Sequence, residues 1–271
     1  MGRVAFLHPA PMAFAHRGFS LEGLENTLTA FRAAWDLGFT HLETDVHATH
    51  DGALVAFHDD RLDRVTDRSG LVAELEWAEV SSARIAGSAG ASERVPLFAD
   101  LAESLPDAYF NVDVKSAGAV VPFASVIERM RLHDRVLVTS FSDARRRAVL
   151  ARLSRPVASS AGTGTAAAFR LVGTVLPGAA LRGAGRPGAG RRGLLRDVDA
   201  LQVPERYGAV RVVTPRFVAR AHALGVQVHV WTVNEAADMV RLLDLGVDGL
   251  VTDRADVLRT VLEARGAWPP A

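Results

Sequence analysis

The side chains with the most chemical potential stand in short clusters at the ends of apolar runs. His16 and Arg17 close the run "MAFAH", Glu43 and Asp45 lie two apart in "LETDV", and Asn111, Asp113 and Lys115 repeat that spacing in "NVDVK". In an extended strand a spacing of two aims side chains at one face, roughly 6–7 Å apart along the strand. Glu43 and Asp45 therefore share a face, while Leu42 and Val46 turn the other way. Acids flanked by core residues are unfavourable to bury without a counter-charge. A hard divalent cation is the natural partner, and oxygen ligands favour Mg²⁺ or Ca²⁺. The rival is zinc, because His41, His47, His50 and His58 crowd the same region and imidazole suits that ion. His41 and His47 are six residues apart along an extended run, however, too far to share one ion. Lys115 is the only lysine, the rest of the 31 basic residues being arginine, so a compact ammonium stands at this one strand end.

Composition removes other classes of chemistry. The chain has no cysteine, which excludes disulfides, thiolate metal sites and a cysteine nucleophile. With 31 basic and 31 acidic residues the formal net charge is zero, so no global field draws it to nucleic acid. The start "MGRVAFLHPAPMAFAHRG" is broken by Pro9 and Pro11 and reads as no signal peptide. No run approaches the roughly 18 apolar residues of a membrane span, so no integral membrane segment and a cytoplasmic location are expected.

The elements that must position these groups alternate along the chain. Strands are predicted near 12–16, 40–46, 108–114, 135–140, 156–160, 199–203, 226–232 and 247–252. Helices fall between them, including 27–37, stopped by Gly38, and 234–245, opening on Asn234 and Glu235. Continuously apolar strands that each lead to a helix describe a parallel sheet covered by helices. For 271 residues, 49% of them hydrophobic, a closed (β/α)8 TIM barrel fits best, with an open doubly wound sheet as the alternative. One domain over 1–271 is expected, with an inserted lobe at about 47–96, after the second strand. That insertion begins with a hairpin turning at Asp51 and Gly52. The Gly- and Arg-rich stretch 182–193 reads as a mobile loop.

Barrel chemistry sits where strands end, and the residues gathered there resemble a known family. "HRG" at 16–18, "ENT" at 25–27, "LETDV" at 42–46, "FHDDRLDRVTDRSG" from Phe57 to Gly70, "NVDVK" at 111–115 and "VWTVNEAADMVRLLDLGVDGLVTDR" at 230–254 together resemble glycerophosphodiester phosphodiesterases, in order over nearly the whole chain. The resemblance implies a (β/α)8 barrel with a small inserted lobe and a small-molecule glycerophosphodiester substrate, cut to glycerol 3-phosphate and an alcohol. It further implies that Glu43, Asp45 and Asp113 hold one divalent cation, that His16 and His58 are a general acid/base pair, and that Arg17 and Lys115 hold the phosphate. Glu25 matches a site acid of open role. Asp113 departs from the glutamate common in relatives, and Leu24 replaces a proline.

Other readings compete with these. His41, His47, His133, His222 and His229 are expected to be structural, and Arg61, Asp63, Arg64 and Asp67 to cap and solvate the inserted lobe. Trp231 and Phe141, at strand ends, serve either the core or the alcohol moiety of a substrate. Residues 166–193 offer arginines beside apolar residues, a peripheral lipid contact that a lysophospholipase D type activity would need. A non-catalytic barrel binding phosphorylated ligands is the remaining alternative.

Overall fold

The computed structural model describes residues 6–9, 11–21, 23–173, 176 and 193–268. Eight strands form the ring: β1 (Met12–His16), β2 (His41–Ala48), β3 (Tyr109–Val114), β4 (Val136–Thr139), β5 (Ala158–Ser159), β6 (Ala200–Pro204), β7 (Gln227–Trp231) and β8 (Gly249–Thr252). They pair in parallel in the order β5-β4-β3-β2-β1-β8-β7-β6, and a parallel bridge from Ser160 to Ala200 joins the two ends. That bridge makes the sheet a barrel and sets aside the open alternative. The predicted strands differ from the observed ones by no more than two residues at either end, and the first matches outright, as expected where the ladder frays into loops.

Period-2 alternation gives each strand an outward and an inward row. Leu42, Val46, Phe110, Val112, Val228 and Val230 are fully buried against the surrounding helices. The inward rows change character along the barrel. Met12, Phe14, Leu137 and Val251 pack at one end with Phe6, while His16, Glu43, Asp45 and Asp113 follow toward the C-terminal strand ends. A largely apolar floor, into which His41 and His229 also pack, thus lies beneath a charged rim.

The helix Leu28–Asp36 starts where Thr27 accepts a hydrogen bond from Ala30 N and ends at Gly38, whose φ of 96° favours glycine. Between β2 and β3 the repeat is interrupted. Strand Leu54–Ala56 returns antiparallel on β2, with Val46 opposite Ala56, around a turn in which Gly52 has a φ of 85°. Beyond it, Val55, Phe57, Leu62, Val72, Val80 and Ile85 form an apolar cluster of their own. The predicted loop 182–193 lies outside the described residues, apart from Gly193.

Two histidines in the barrel interior are structural. Burial pushes His41 down to about 3, although its Nε2 donates to the Phe6 carbonyl, and burial likewise pushes His229 down to about 3. Both are neutral when folded and titrate near 6.5 when unfolded. The unfolded chain therefore binds more protons between those values, and stability present above pH 6.5 is lost as pH falls toward 3. The unfolding free energy from urea titration should fall between pH 6 and pH 4.5, each histidine contributing at most about 1.4 kcal/mol per pH unit and the raised Glu43 offsetting part of it. His229→Gln should flatten that slope; an unchanged slope would remove His229 from this account.

Candidate active site

Strand register assembles the acids. His16 on β1 lies opposite Glu43 on β2, and Asp45 on β2 lies opposite Asp113 on β3. All three carboxylates are buried, with residue exposures of 7%, 1% and 5% for Glu43, Asp45 and Asp113. Burial and then the Asp45 charge hold Glu43 well above the usual carboxylate range. Burial also raises Asp113. Asp45 goes the other way, because Lys115 and Arg17 outweigh the effect of burial. Lys115 Nζ stands 2.8 Å from Asp45 Oδ1 and 2.8 Å from Asp113 Oδ2, and Arg17 Nε stands 3.3 Å from Asp45 Oδ2.

The loop after β1 is shaped around this cluster. Arg17 and Asn26 occupy the left-handed region, with φ values of 55° and 58°, a conformation that costs a non-glycine residue free energy. Mutual support holds them: Asn26 N donates to Arg17 O, and Asn26 Nδ2 donates to Asp45 Oδ2 at 3.0 Å. Gly18, at φ 82°, has no room for a side chain, since a Cβ there would lie 2.6 Å from the Ala30 carbonyl carbon. The "HRG" and "ENT" triplets are therefore one device. Glu25 binds Arg17, Asn26 binds Asp45, and Thr27 caps the next helix.

Each candidate proton carrier has a carboxylate behind it. His16 Nδ1 lies 2.6 Å from Asp253 Oδ1, and His58 Nδ1 lies 2.6 Å from Asp59 Oδ1. Burial lowers the affinity of His16 for a proton, but Glu43 and Asp253 more than reverse this, so its pKa is raised. Asp253 is held by Asn234, which donates from Nδ2 to Oδ2 at 2.9 Å and accepts from Asp253 N at 3.0 Å. Asp59 is held instead by Arg64, 2.5 Å away, whose hydrogen bond draws that carboxyl down to about 2. His58 is delivered by the inserted strand: Phe57 N donates to Asp45 O, and His47 Nε2 donates to His58 O. Trp231 and Phe141 meet edge to face at 5.6 Å, with Lys115 Nζ 5.5 Å from the Phe141 centroid.

Every residue singled out for chemistry thus lies at the C-terminal strand ends, and several positions differ from expectation. Arg64 does not merely solvate the insertion; it joins Asp59 to Glu25, its Nη2 lying 2.6 Å from Glu25 Oε1. Asn234 does not open the helix Ala236–Asp244, which begins after Glu235, but secures Asp253. Asn26, Asp59, Asn234 and Asp253 were not foreseen as site residues, although "ENT", "HDD", "VNE" and "VTDR" contain them. Among the described residues, no three His, Asp or Glu side chains are arranged as a ready cation site, and Lys115 bridges Asp45 and Asp113 instead. The cluster still suits a hard cation, because its donors are all oxygens and Asp113 Oδ1 is buried without a hydrogen-bond partner. Of the stretch 166–193, only 166–173, 176 and 193 are described.

Comparison with known proteins decides the family. Residues 16–257 match the model of the Glycerophosphoryl diester phosphodiesterase family. The chain belongs to this family. It is 46% identical over 270 residues to "Probable glycerophosphodiester phosphodiesterase 2" of Mycobacterium tuberculosis, covering 99% of this chain and 97% of that one. It is 26% identical to "Lysophospholipase D GDPD1" of Homo sapiens, over 92% of this chain and 85% of the relative. Among solved structures, an Oleispira antarctica phosphodiesterase in complex with the product sn-glycerol-3-phosphate aligns at TM-score 0.71 and 21% identity, covering 94% of this chain and 97% of that one, which shows a shared fold. Phosphodiesterase chemistry and the (β/α)8 fold follow from membership. Among the described residues, no helix is long and apolar enough to cross a membrane.

If Asp253 orients His16, Asp253→Asn should lower kcat by roughly 10- to 1,000-fold with little change in KM. Asn234→Ala should produce a smaller loss in the same direction. Steady-state kinetics in which KM rises while kcat holds would place both residues in substrate binding instead.

Proposed function

We propose that this phosphodiesterase hydrolyses glycerophosphodiesters to glycerol 3-phosphate and an alcohol, with His16 and His58 as proton carriers above the Glu43, Asp45 and Asp113 cluster. The observation that carries this reading is the pair of imidazoles, each with Nδ1 held by a carboxylate, facing buried acids that are in strand register. Holding Nδ1 fixes the tautomer with its proton there and leaves Nε2 to exchange protons with the substrate. One histidine would accept the proton of the attacking hydroxyl while the other protonates the leaving alkoxide, and the two would then exchange roles. In the resembling enzymes the attacking group is the substrate's own glycerol 2-hydroxyl, and a paired acid and base suit that scheme.

Glu43, Asp45 and Asp113 would hold one divalent cation, Mg²⁺ or Ca²⁺. When bound, such an ion supplies charge stabilisation at the phosphate and acidifies a hydroxyl beside it. Arg17 and Lys115 would complement the non-bridging oxygens. Glu25, paired with Arg17 at 3.0 Å, keeps that guanidinium in place. Trp231 and the half-exposed Phe141 form an aromatic flank suited to the glycerol or alcohol moiety. Residues 1–271 would work as one domain in which the insertion at about 47–96 contributes His58.

A second substrate class has an observation in its favour. Leu171, Leu176, Tyr207 and Val210 are exposed on the segments that follow β5 and β6, and the Arg170 guanidinium donates to Arg211 O between those segments. Apolar groups among arginines suit the tail and headgroup of a lysolipid, in keeping with the lysophospholipase D relative. Glycerol 3-phosphate release should be assayed from choline, ethanolamine, glycerol and inositol glycerophosphodiesters and from a lysolipid. Release from at least one glycerophosphodiester, abolished by chelator and restored by Mg²⁺ or Ca²⁺, is expected. Full turnover in excess chelator would sink the metal assignment. His16→Ala and His58→Ala should each cost about 10² to 10⁴ in kcat, and the double variant should be little worse than either single one. Multiplying losses would show that the two histidines act independently.

A further inference from the structure

Lys115 is placed where the family's chemistry calls for a different cation. Its ammonium bridges Asp45 and Asp113, two of the three acids that the proposed function assigns to a divalent ion. The two carboxylates are 2% and 7% exposed at the side chain, and the lysine is 17% exposed, so water screens this contact poorly. The backbone of Lys115 is fixed at both ends: its N–H donates to Val46 O at 3.1 Å, and its carbonyl accepts from the Arg145 guanidinium. Only the side-chain stem is free to change position. The ring of Phe141 lies 5.5 Å from the ammonium, at the barrel mouth.

We infer that Lys115 and the divalent ion are alternative occupants of the Asp45–Asp113 pair, so that ion entry releases the ammonium toward Phe141 and the phosphate. Two like charges cannot share these oxygens in so dry a pocket, because each would lie within a few ångströms of the other. Without the ion, Lys115 is the internal counter-charge shared by the two buried acids. With the ion, the same group becomes available to an anion. Metal and phosphate binding are thereby coupled: the phosphate-binding cation is withheld until the ion has arrived. This rests on reading the acids as a cation site, and it adds a function for the lysine in the ion-free protein.

Because the chain has a single lysine, the test can watch that residue alone. Reductive methylation with ¹³C-formaldehyde labels Lys115 and the N-terminal amine, and these separate in a carbon–proton NMR spectrum. Titration with Mg²⁺ or Ca²⁺ should move the Lys115 resonance saturably, in step with ion binding measured by calorimetry on unlabelled protein. Lys115→Met should bind the ion more tightly by about 5- to 150-fold, since its competitor is gone. In wild type, glycerol 3-phosphate should bind more tightly with the ion than without it, and Lys115→Met should lose much of that gain. A Lys115 resonance that stays still while calorimetry records ion binding, or an unchanged ion affinity in Lys115→Met, would overturn the exchange and leave the proposed activity standing. A protein that binds no ion by calorimetry would overturn both.

Discussion

Three carboxylates on two adjacent parallel strands, buried at the top of a barrel, are the constraint around which the rest of the mouth is arranged. Their proximity follows from register, which sets Asp45 beside Asp113 and Glu43 beside His16. Charges removed from water in this way are strongly unfavourable unless each finds a partner. The backbone concedes to that need. Arg17 and Asn26 adopt left-handed conformations, and from there the Arg17 guanidinium and the Asn26 amide reach Asp45. Lys115 serves the same end from β3.

Around this centre the two candidate proton carriers are anchored in chemically different ways. Asp253, behind His16, is held by the neutral amide of Asn234. Asp59, behind His58, also faces the cationic Arg64, which offsets part of its charge. Arg64 continues to Glu25, and Glu25 to Arg17, so a chain of ion pairs runs from the inserted segment to the first βα loop and on to Asp45. A shift of the inserted segment would therefore be felt at the carboxylate cluster. The segment is more than a decoration of the barrel, because it supplies His58.

Much of this was legible in the sequence, for identifiable reasons. The alternation in "LETDV" and "NVDVK" fixes which side chains share a face, and parallel pairing of successive strands then brings those faces together. The eight-strand pattern was legible because each strand is an apolar run ended by a turn or a helix start. What stayed hidden depends on long-range contact. Arg64 and Glu25 are 39 residues apart, and His16 and Asp253 are 237 apart, separations at which no periodicity operates. Asn234 resembles a helix opener because asparagine often is one, and only the position of Asp253 shows its other use. The bridging of Asp45 and Asp113 by Lys115 was also invisible, since spacing reports a shared face but not which cation fills it.

The most direct measurement is calorimetric titration of the ion-free protein with Mg²⁺ and Ca²⁺, with Asp45→Asn/Asp113→Asn as the comparison and thermal melting as the check on folding. One saturable ion per chain in wild type, lost in a double variant that still melts cooperatively, is the result this account predicts. A wild type with no saturable binding, or a double variant with the same isotherm, would contradict it.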